Sequence, residues 1–527
     1  MAVVLFAGCR AQAPVIYSID PQIGIMGEPV TINGDFFGDT RDESYVTVAG
    51  VQPTSMSYQD WQDNKITFRI REFGEAGLIY VYVKGRKSNG MLFANQATLP
   101  SRVQGSEAGT GPRIISVTPQ TGSPGALVSI NGTGFGSSRG NGGVFFSWNA
   151  QMSASAPAEA NIPEFAEVSE NEFGYEMWAD REIRVRVPDG TVAGNLEVRT
   201  SRGNSPPMAF ELAGRPGTKT YGNKRSYTIN YSVNIKIDEA EAPNTMYLWI
   251  PHPASSAAQR NLELQYSSVE PFIGRYRGVS LYKVDNLVSN NDVQFRLAWK
   301  VDVYSVETAV QPQSVRQEYN TPISEANLQS TPQLPADDPR VKNRAAAILG
   351  RERNPYTKAL RIYEWMTGVN LVWKNYAEGD IFTVLETNQT DPYLAAMLYC
   401  TLLRSAGVPC QPVAGVLVGR NRQTMNHYWA EFWVDGFGWI PVDPAMGAGA
   451  VPSSHPNRAG YYFGNIDSQR VAFSRGFINL SPMDPRGRTV SHSRSYSLQS
   501  LREEVVGSIE SYSSLWGDIS ITGIYVQ

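Results

Sequence analysis

Cysteine and histidine are scarce in this chain, with three and four respectively among 527 residues. So few cysteines exclude a disulfide-stapled miniature fold. The four histidines, His252, His427, His455 and His492, form no HxxxH or CxxC pattern, so metal binding finds no support and no cofactor is expected. An excess of basic charge is also missing. The 46 Lys and Arg stand against 50 Asp and Glu, a net charge of −4 that makes nucleic acid an unsuitable partner. No later stretch offers the roughly 18–20 consecutive apolar residues that span a bilayer. What the chain does have is 47 Gly, 33 Pro and 26 Tyr, with 42% hydrophobic residues. That composition is ample for packed cores and points to turn-rich β-structure. At about 100–200 residues per domain, the length predicts three or four domains.

The first two hundred residues repeat themselves at an offset of 98. Pro14-Val15-Ile16-Tyr17-Ser18-Ile19-Asp20-Pro21 matches Pro112-Arg113-Ile114-Ile115-Ser116-Val117-Thr118-Pro119, and the register continues through Ile32-Asn33-Gly34 and Ile130-Asn131-Gly132. Val30-x-Ile32 and Val128-x-Ile130 alternate as half-buried strands between Gly-rich turns. The pattern resembles the IPT/TIG family, which implies an immunoglobulin-like sandwich for each copy. The second copy carries a longer insertion near 148–181, a loop or a covering flap. The resemblance implies spacers or adhesive platforms, and nothing in either copy names a ligand.

The start, MAVVLFAGCR, resembles the tail of a bacterial lipoprotein signal, with Phe6-Ala7-Gly8-Cys9 similar to a lipobox. Phe at the first lipobox position is a departure. A secretory signal needs a positive start and roughly 7–15 apolar residues, and this segment is too short to hold both, with no basic region ahead of its apolar run. The resemblance implies a lipid anchor on Cys9 and a place in the bacterial cell envelope, periplasmic or surface-exposed.

A Gly/Pro/Ser-rich and basic stretch at 201–225 marks the next boundary. Alternation resumes at Tyr227–Ile235 and again at Met246–Pro253, as expected of another β-sandwich, and His252 beside two prolines reads as a surface turn residue. Asp338-Pro339 and Asn354-Pro355 each place an N-cap before Pro at the first helical position, opening two helices.

Three further fragments belong together. A helix ends Leu403-Arg404-Ser405-Ala406-Gly407-Val408-Pro409, and two strands follow as His427-Tyr428-Trp429-Ala430-Glu431 and Gly438-Trp439-Ile440-Pro441-Val442-Asp443-Pro444. In that order they resemble the transglutaminase-like (papain-like) superfamily, and the likeness covers roughly 226–527. It implies a Cys at the first turn of the helix, where free N–H groups and the helix dipole favour thiolate. It also implies a catalytic His427 and an orienting Asp443. The Cys should stand twelve positions before Arg404, and that position holds Pro392, preceded by Asp391. Cys400 lies eight residues further along the helix, about 12 Å up its axis. Cys410 sits at the entrance to a strand, and both cysteines read as buried structural thiols. A Cys400–Cys410 disulfide is left open, because spacing cannot decide it.

The expected fold is therefore multidomain and mainly β. Two IPT/TIG sandwiches (14–103 and 104–213) follow a signal remnant (1–13), then a third β-sandwich (214–318) and a C-terminal α+β transglutaminase-like domain (319–527). Asp391, Trp429, Glu431 and Trp439 are expected to line the cleft. The expected function is a pseudoenzyme that binds a peptide, a protein or a cell-wall glycan. A live cysteine peptidase or transglutaminase using another Cys, and a purely structural spacer, are the alternatives.

Overall fold

The computed structural model describes residues 12–70, 76–99, 110–148, 164–214, 216–316, 321–368, 370–450, 452, 454–458, 460–491 and 494–526. It is mainly β, with sandwiches ahead of an α+β core, the fold class that the sequence implies.

The repeat is visible as topology. Val15–Asp20 pairs with Pro29–Asp35, and Arg113–Thr118 with Leu127–Thr133, in the same register and with the same bulge after Ile16 and Ile114. Ile16, Ile19, Val30, Ile32 and Phe37 fill the first core, and the residues 98 further on, Ile114, Val117, Val128, Ile130 and Phe135, fill the second. Gly34 and Gly132 are glycines for a steric reason. A Cβ there would come within 1.9 Å of the Val15 carbonyl oxygen and 2.2 Å of that of Arg113. Part of the insertion in the second copy is regular, since Glu164–Glu167 adds a strand beside Gly143–Trp148.

The third unit is one sheet organised on a single long strand, Gly217–Pro251, which pairs with Val293–Val310 along much of its length. The last two strands of the chain, Glu503–Trp516 and Ser520–Val526, also pair with Gly217–Pro251. The end of the chain thus returns to this sheet, although sequence alone groups it with the transglutaminase-like segment. His252 is buried at 6% exposure and packs against Trp299, ring centroids 5.2 Å apart, so it is not the surface turn residue expected.

Six helices lie among the described residues: α1 (Pro322–Leu328), α2 (Pro339–Leu349), α3 (Pro355–Thr367), α4 (Ile381–Thr387), α5 (Pro392–Ser405) and α6 (Pro444–Gly447). Asp338, Asn354 and Asp391 cap α2, α3 and α5 through side-chain oxygens, as X-Pro punctuation predicts. Helix α5 is buried from Leu394 to Arg404. It packs on a four-stranded sheet ordered Gly438–Val442, Thr424–Val434, Cys410–Val418, Arg470–Arg475. Tyr428, Ala430, Phe432 and Val434 share a core with α5, whereas Trp429 packs with Tyr221, Tyr304 and Trp148 on the other face. This is strand alternation with both faces covered. No helix of the described residues is long and apolar enough to cross a membrane.

Candidate functional site

The start of α5 is occupied by backbone chemistry. Asp391 Oδ1 accepts from the Leu394 N–H at 2.8 Å, and Oδ2 accepts from the Ala377 N–H and from Arg494 Nη1, each at 2.9 Å. Pro392 takes the first helical position, where no N–H partner is needed. Its neighbour Tyr393 meets Tyr428 edge-on at 5.0 Å, so the helix start lies against the strand that carries His427.

His427 and Asp443 come together. His427 Nε2 lies 2.8 Å from Asp443 Oδ2, and the imidazole stacks over Trp429 at 6.2 Å. Asp443 caps α6, its Oδ1 accepting from the Met446 N–H at 3.0 Å. Arg470, which sequence reasoning missed, donates from Nη1 to the same Asp443 Oδ2 at 2.9 Å and from Nη2 to Asp467 at 2.8 Å. His427 is 2% exposed and Asp443 is fully buried. Burial would raise the Asp443 carboxyl, but His427, Arg470 and the Met446 N–H outweigh it and hold the group down at about 2. Burial likewise opposes ionisation of Asp467 and Arg470, and again their mutual attraction wins, lowering the acid and raising the base. The result is a chain of buried partners, His427–Asp443–Arg470–Asp467. In a working triad the carboxylate orients an imidazole that faces a nucleophile. Here the carboxylate is shared with a guanidinium, and position 392 offers no nucleophile.

Of the four residues expected to line a cleft, Trp429, Glu431 and Trp439 line one cavity of about 60 Å³ on the sheet face away from α5. Asp391 does not border it. The cavity wall includes Asp189 of the second immunoglobulin-like unit and Lys219 of the long strand. Lys219 Nζ donates to Asp189 Oδ1 and to the Trp439 carbonyl, both at 2.7 Å, while Asp189 Oδ2 accepts from the Trp439 N–H at 3.3 Å. Glu431 is held by Arg475 at 2.8 Å, and Arg475 also pairs with Glu172. Trp433 stands edge-on to Trp439 at 5.4 Å. The only sequence signal for these ties is a set of charged residues within β-patterns, which does not name partners.

Cys400 and Cys410 are free, buried thiols with sulfurs 3.2 Å apart. Cys410 pairs across from Phe432, five residues along the strand from His427. That is about 17 Å at 3.4 Å per residue, and the odd count puts the two on opposite faces. Neither sulfur can serve the imidazole. Cys9 and His492 lie outside the described residues. No group of three or more His, Cys, Asp or Glu among the described residues could hold a metal ion.

Comparison with known proteins agrees with this architecture. Residues 342–444 match the model of the transglutaminase-like superfamily, and residues 14–98 match that of the IPT/TIG domain. An uncharacterized protein of Haemophilus influenzae is 29% identical over 182 residues, covering 28% of this chain and 49% of the relative. The chain thus spans about half the length of the curated relative it matches. Among solved structures, a candidate cysteine protease from Cytophaga hutchinsonii superposes with a TM-score of 0.34 at 16% identity, covering 59% of this chain and 92% of that one. The periplasmic domain of TgpA from Pseudomonas aeruginosa gives 0.25 at 13% identity, covering 42% and 87%. At those scores neither structure bears on activity. The chain thus contains a transglutaminase-like superfamily core over residues 342–444, joined to an IPT/TIG domain over residues 14–98.

Proposed function

We propose that this chain is a non-catalytic binding protein of the bacterial cell envelope, anchored through a lipid on Cys9, whose transglutaminase-like core no longer performs acyl transfer. The observation that carries the reading is Pro392 at the first turn of α5, with the His427–Asp443 pair buried and tied to Arg470. Acyl transfer needs an activated nucleophile beside its base. A pyrrolidine ring cannot attack a carbonyl, and Cys400 is packed against Cys410 instead. The lipobox-like Phe6-Ala7-Gly8-Cys9 supports the envelope location.

A ligand of peptide or cell-wall glycan type would find its room at the junctions between units. A cleft of about 200 Å³ is lined from the first immunoglobulin-like unit (Met91), the second (Asn171), the third sheet (Arg277) and the core (Gln411, Phe477). Pockets at such interfaces, with a few convergent polar groups, are where ligands commonly bind. A purely structural role is the second reading, favoured by the burial of His427 and Asp443.

The test is a pair of assays on the purified chain. Amide hydrolysis and amine incorporation into glutamine peptides are expected at the level of the His427→Ala variant. Turnover that disappears in His427→Ala would overturn the proposal. Binding to peptidoglycan fragments or envelope peptides supports the binding role, and failure of all of them supports the structural one.

A further inference from the structure

We propose that Cys400 and Cys410 are the two halves of a disulfide that staples helix α5 to the strand Cys410–Val418. The inference rests on the envelope location proposed above only for its supply of oxidant. The approach of the two sulfurs is independent of location.

Three observations support it. The two sulfurs are already neighbours, 3.2 Å apart and fully buried. Their closeness does not depend on the sulfurs themselves, because the backbone between them is fixed by other bonds. After α5, the Gly407 N–H bonds to the Arg404 carbonyl and the Val408 N–H to the Leu403 carbonyl. Gly407 adopts φ +76°, the left-handed conformation that closes a helix. Arg404 Nε then donates to the Cys410 carbonyl at 2.8 Å, while its Nη1 and Nη2 reach the Gln329 carbonyl and Asn327. Position 410 is therefore held against position 400 whatever the thiols do. Third, the sulfurs do not face the His427–Asp443 pair, since His427 lies on the opposite face of the sheet and well down the strand.

The chemistry balances with one co-reactant, a protein dithiol oxidant in its disulfide form. One cysteine thiolate attacks a sulfur of the oxidant, breaking that S–S bond and giving a mixed disulfide. The second thiolate attacks the chain's own sulfur and releases the oxidant as a dithiol. The chain loses two electrons and two protons; the oxidant gains them. In the folded core, burial first and the neighbouring Cys400 second push the Cys410 thiol far above its ordinary value. Exchange therefore belongs to the stage before the core closes, when both sulfurs are still accessible as thiolates.

The experiment uses the full chain carrying Cys9→Ser, so that only two thiols remain. The chain is refolded from its reduced, unfolded form in a glutathione redox buffer, trapped with N-ethylmaleimide under denaturing conditions and weighed. The expected product is lighter by two hydrogens, takes up no maleimide unless reduced first, and unfolds at a higher temperature than the reduced chain. Cys410→Ser should abolish both the mass change and the temperature difference. Two free thiols after refolding, or an oxidised form that melts below the reduced one, would overturn the proposal. A disulfide that forms in the buffer but is absent from chain isolated from cells leaves the staple intact and counts against the envelope location instead.

Discussion

Arg470 Nη1 and His427 Nε2 meet on one atom, Asp443 Oδ2, at 2.9 and 2.8 Å. An orienting carboxylate that serves an imidazole alone is free to follow it through a proton transfer. One that is also pinned by a guanidinium, itself tied to Asp467, is part of a structural lattice. The pair thus ties the strand Thr424–Val434 to the start of α6 and to the strand Arg470–Arg475.

The first prediction concerns Pro392→Cys. Restoring the thiol returns the nucleophile without an accessible base, because His427 is 2% exposed and stacked on Trp429. The variant is expected to remain within about tenfold of His427→Ala in amide hydrolysis and amine incorporation, where losing a nucleophile from a working triad costs orders of magnitude. A fluorogenic glutamine peptide reads the result.

Removing the cation should be costly. Arg470→Met leaves the Asp443 and Asp467 carboxylates buried without their guanidinium. The expected loss is about 3–5 kcal/mol at neutral pH, measured by urea unfolding. Asp443 itself, held at about 2, contributes stability that is present above the ordinary carboxylate range and is lost as pH falls toward 2. Without Arg470 that loss should begin at higher pH.

His252 provides a second pH dependence of different origin. Burial, and secondarily Arg275, lowers it from the ordinary imidazole value of 6.5 to about 4, against the pull of the Pro253 carbonyl. The unfolded chain therefore binds a proton between those values that the folded chain refuses. Stability from this residue is complete above 6.5 and is lost as pH falls to about 4, an effect of about 3 kcal/mol. Comparing His252→Gln with the parent by urea unfolding at about pH 7.5 and about pH 4.5 should show a flatter profile in the variant.

The tie between the second immunoglobulin-like unit and the core is testable at Asp189. Lys219 is 2% exposed at its side chain and would lose its buried carboxylate counter-charge in Asp189→Ala while keeping the Trp439 carbonyl. A loss of about 3–5 kcal/mol is expected. Early proteolytic release of the two N-terminal units should accompany it, whereas a mere spacer would be cut equally in both proteins.

Much of this was legible in the sequence because it is local. Asp391-Pro392 predicts a helix start from two adjacent residues, and the 98-residue offset predicts a second sandwich from periodicity. His427 and Asp443 sit at fixed places in strands that neighbour one another along the chain. Arg470 was not legible, because its pairing with Asp443 crosses 27 positions and an Arg ahead of Val471-Ala472-Phe473 looks like any strand-edge charge. Asp189 and Lys219 reach Trp439 across still longer stretches. His252 misled for a related reason: its prolines suggest a turn, but Trp299, supplied by a different strand, covers it.

The return of Glu503–Trp516 and Ser520–Val526 to the strand Gly217–Pro251 has a consequence for synthesis. On a ribosome, the two N-terminal units can close as soon as they emerge, but one flank of the long strand has no partner until residues 503–526 are made. Throughout that interval it offers a row of open backbone donors and acceptors, the kind of template on which stray chains add. The nascent protein should therefore depend on a holding factor until residues 503–526 emerge, and deletion of Ser520–Val526 would leave the stretch Arg225–Asn230 open on that flank.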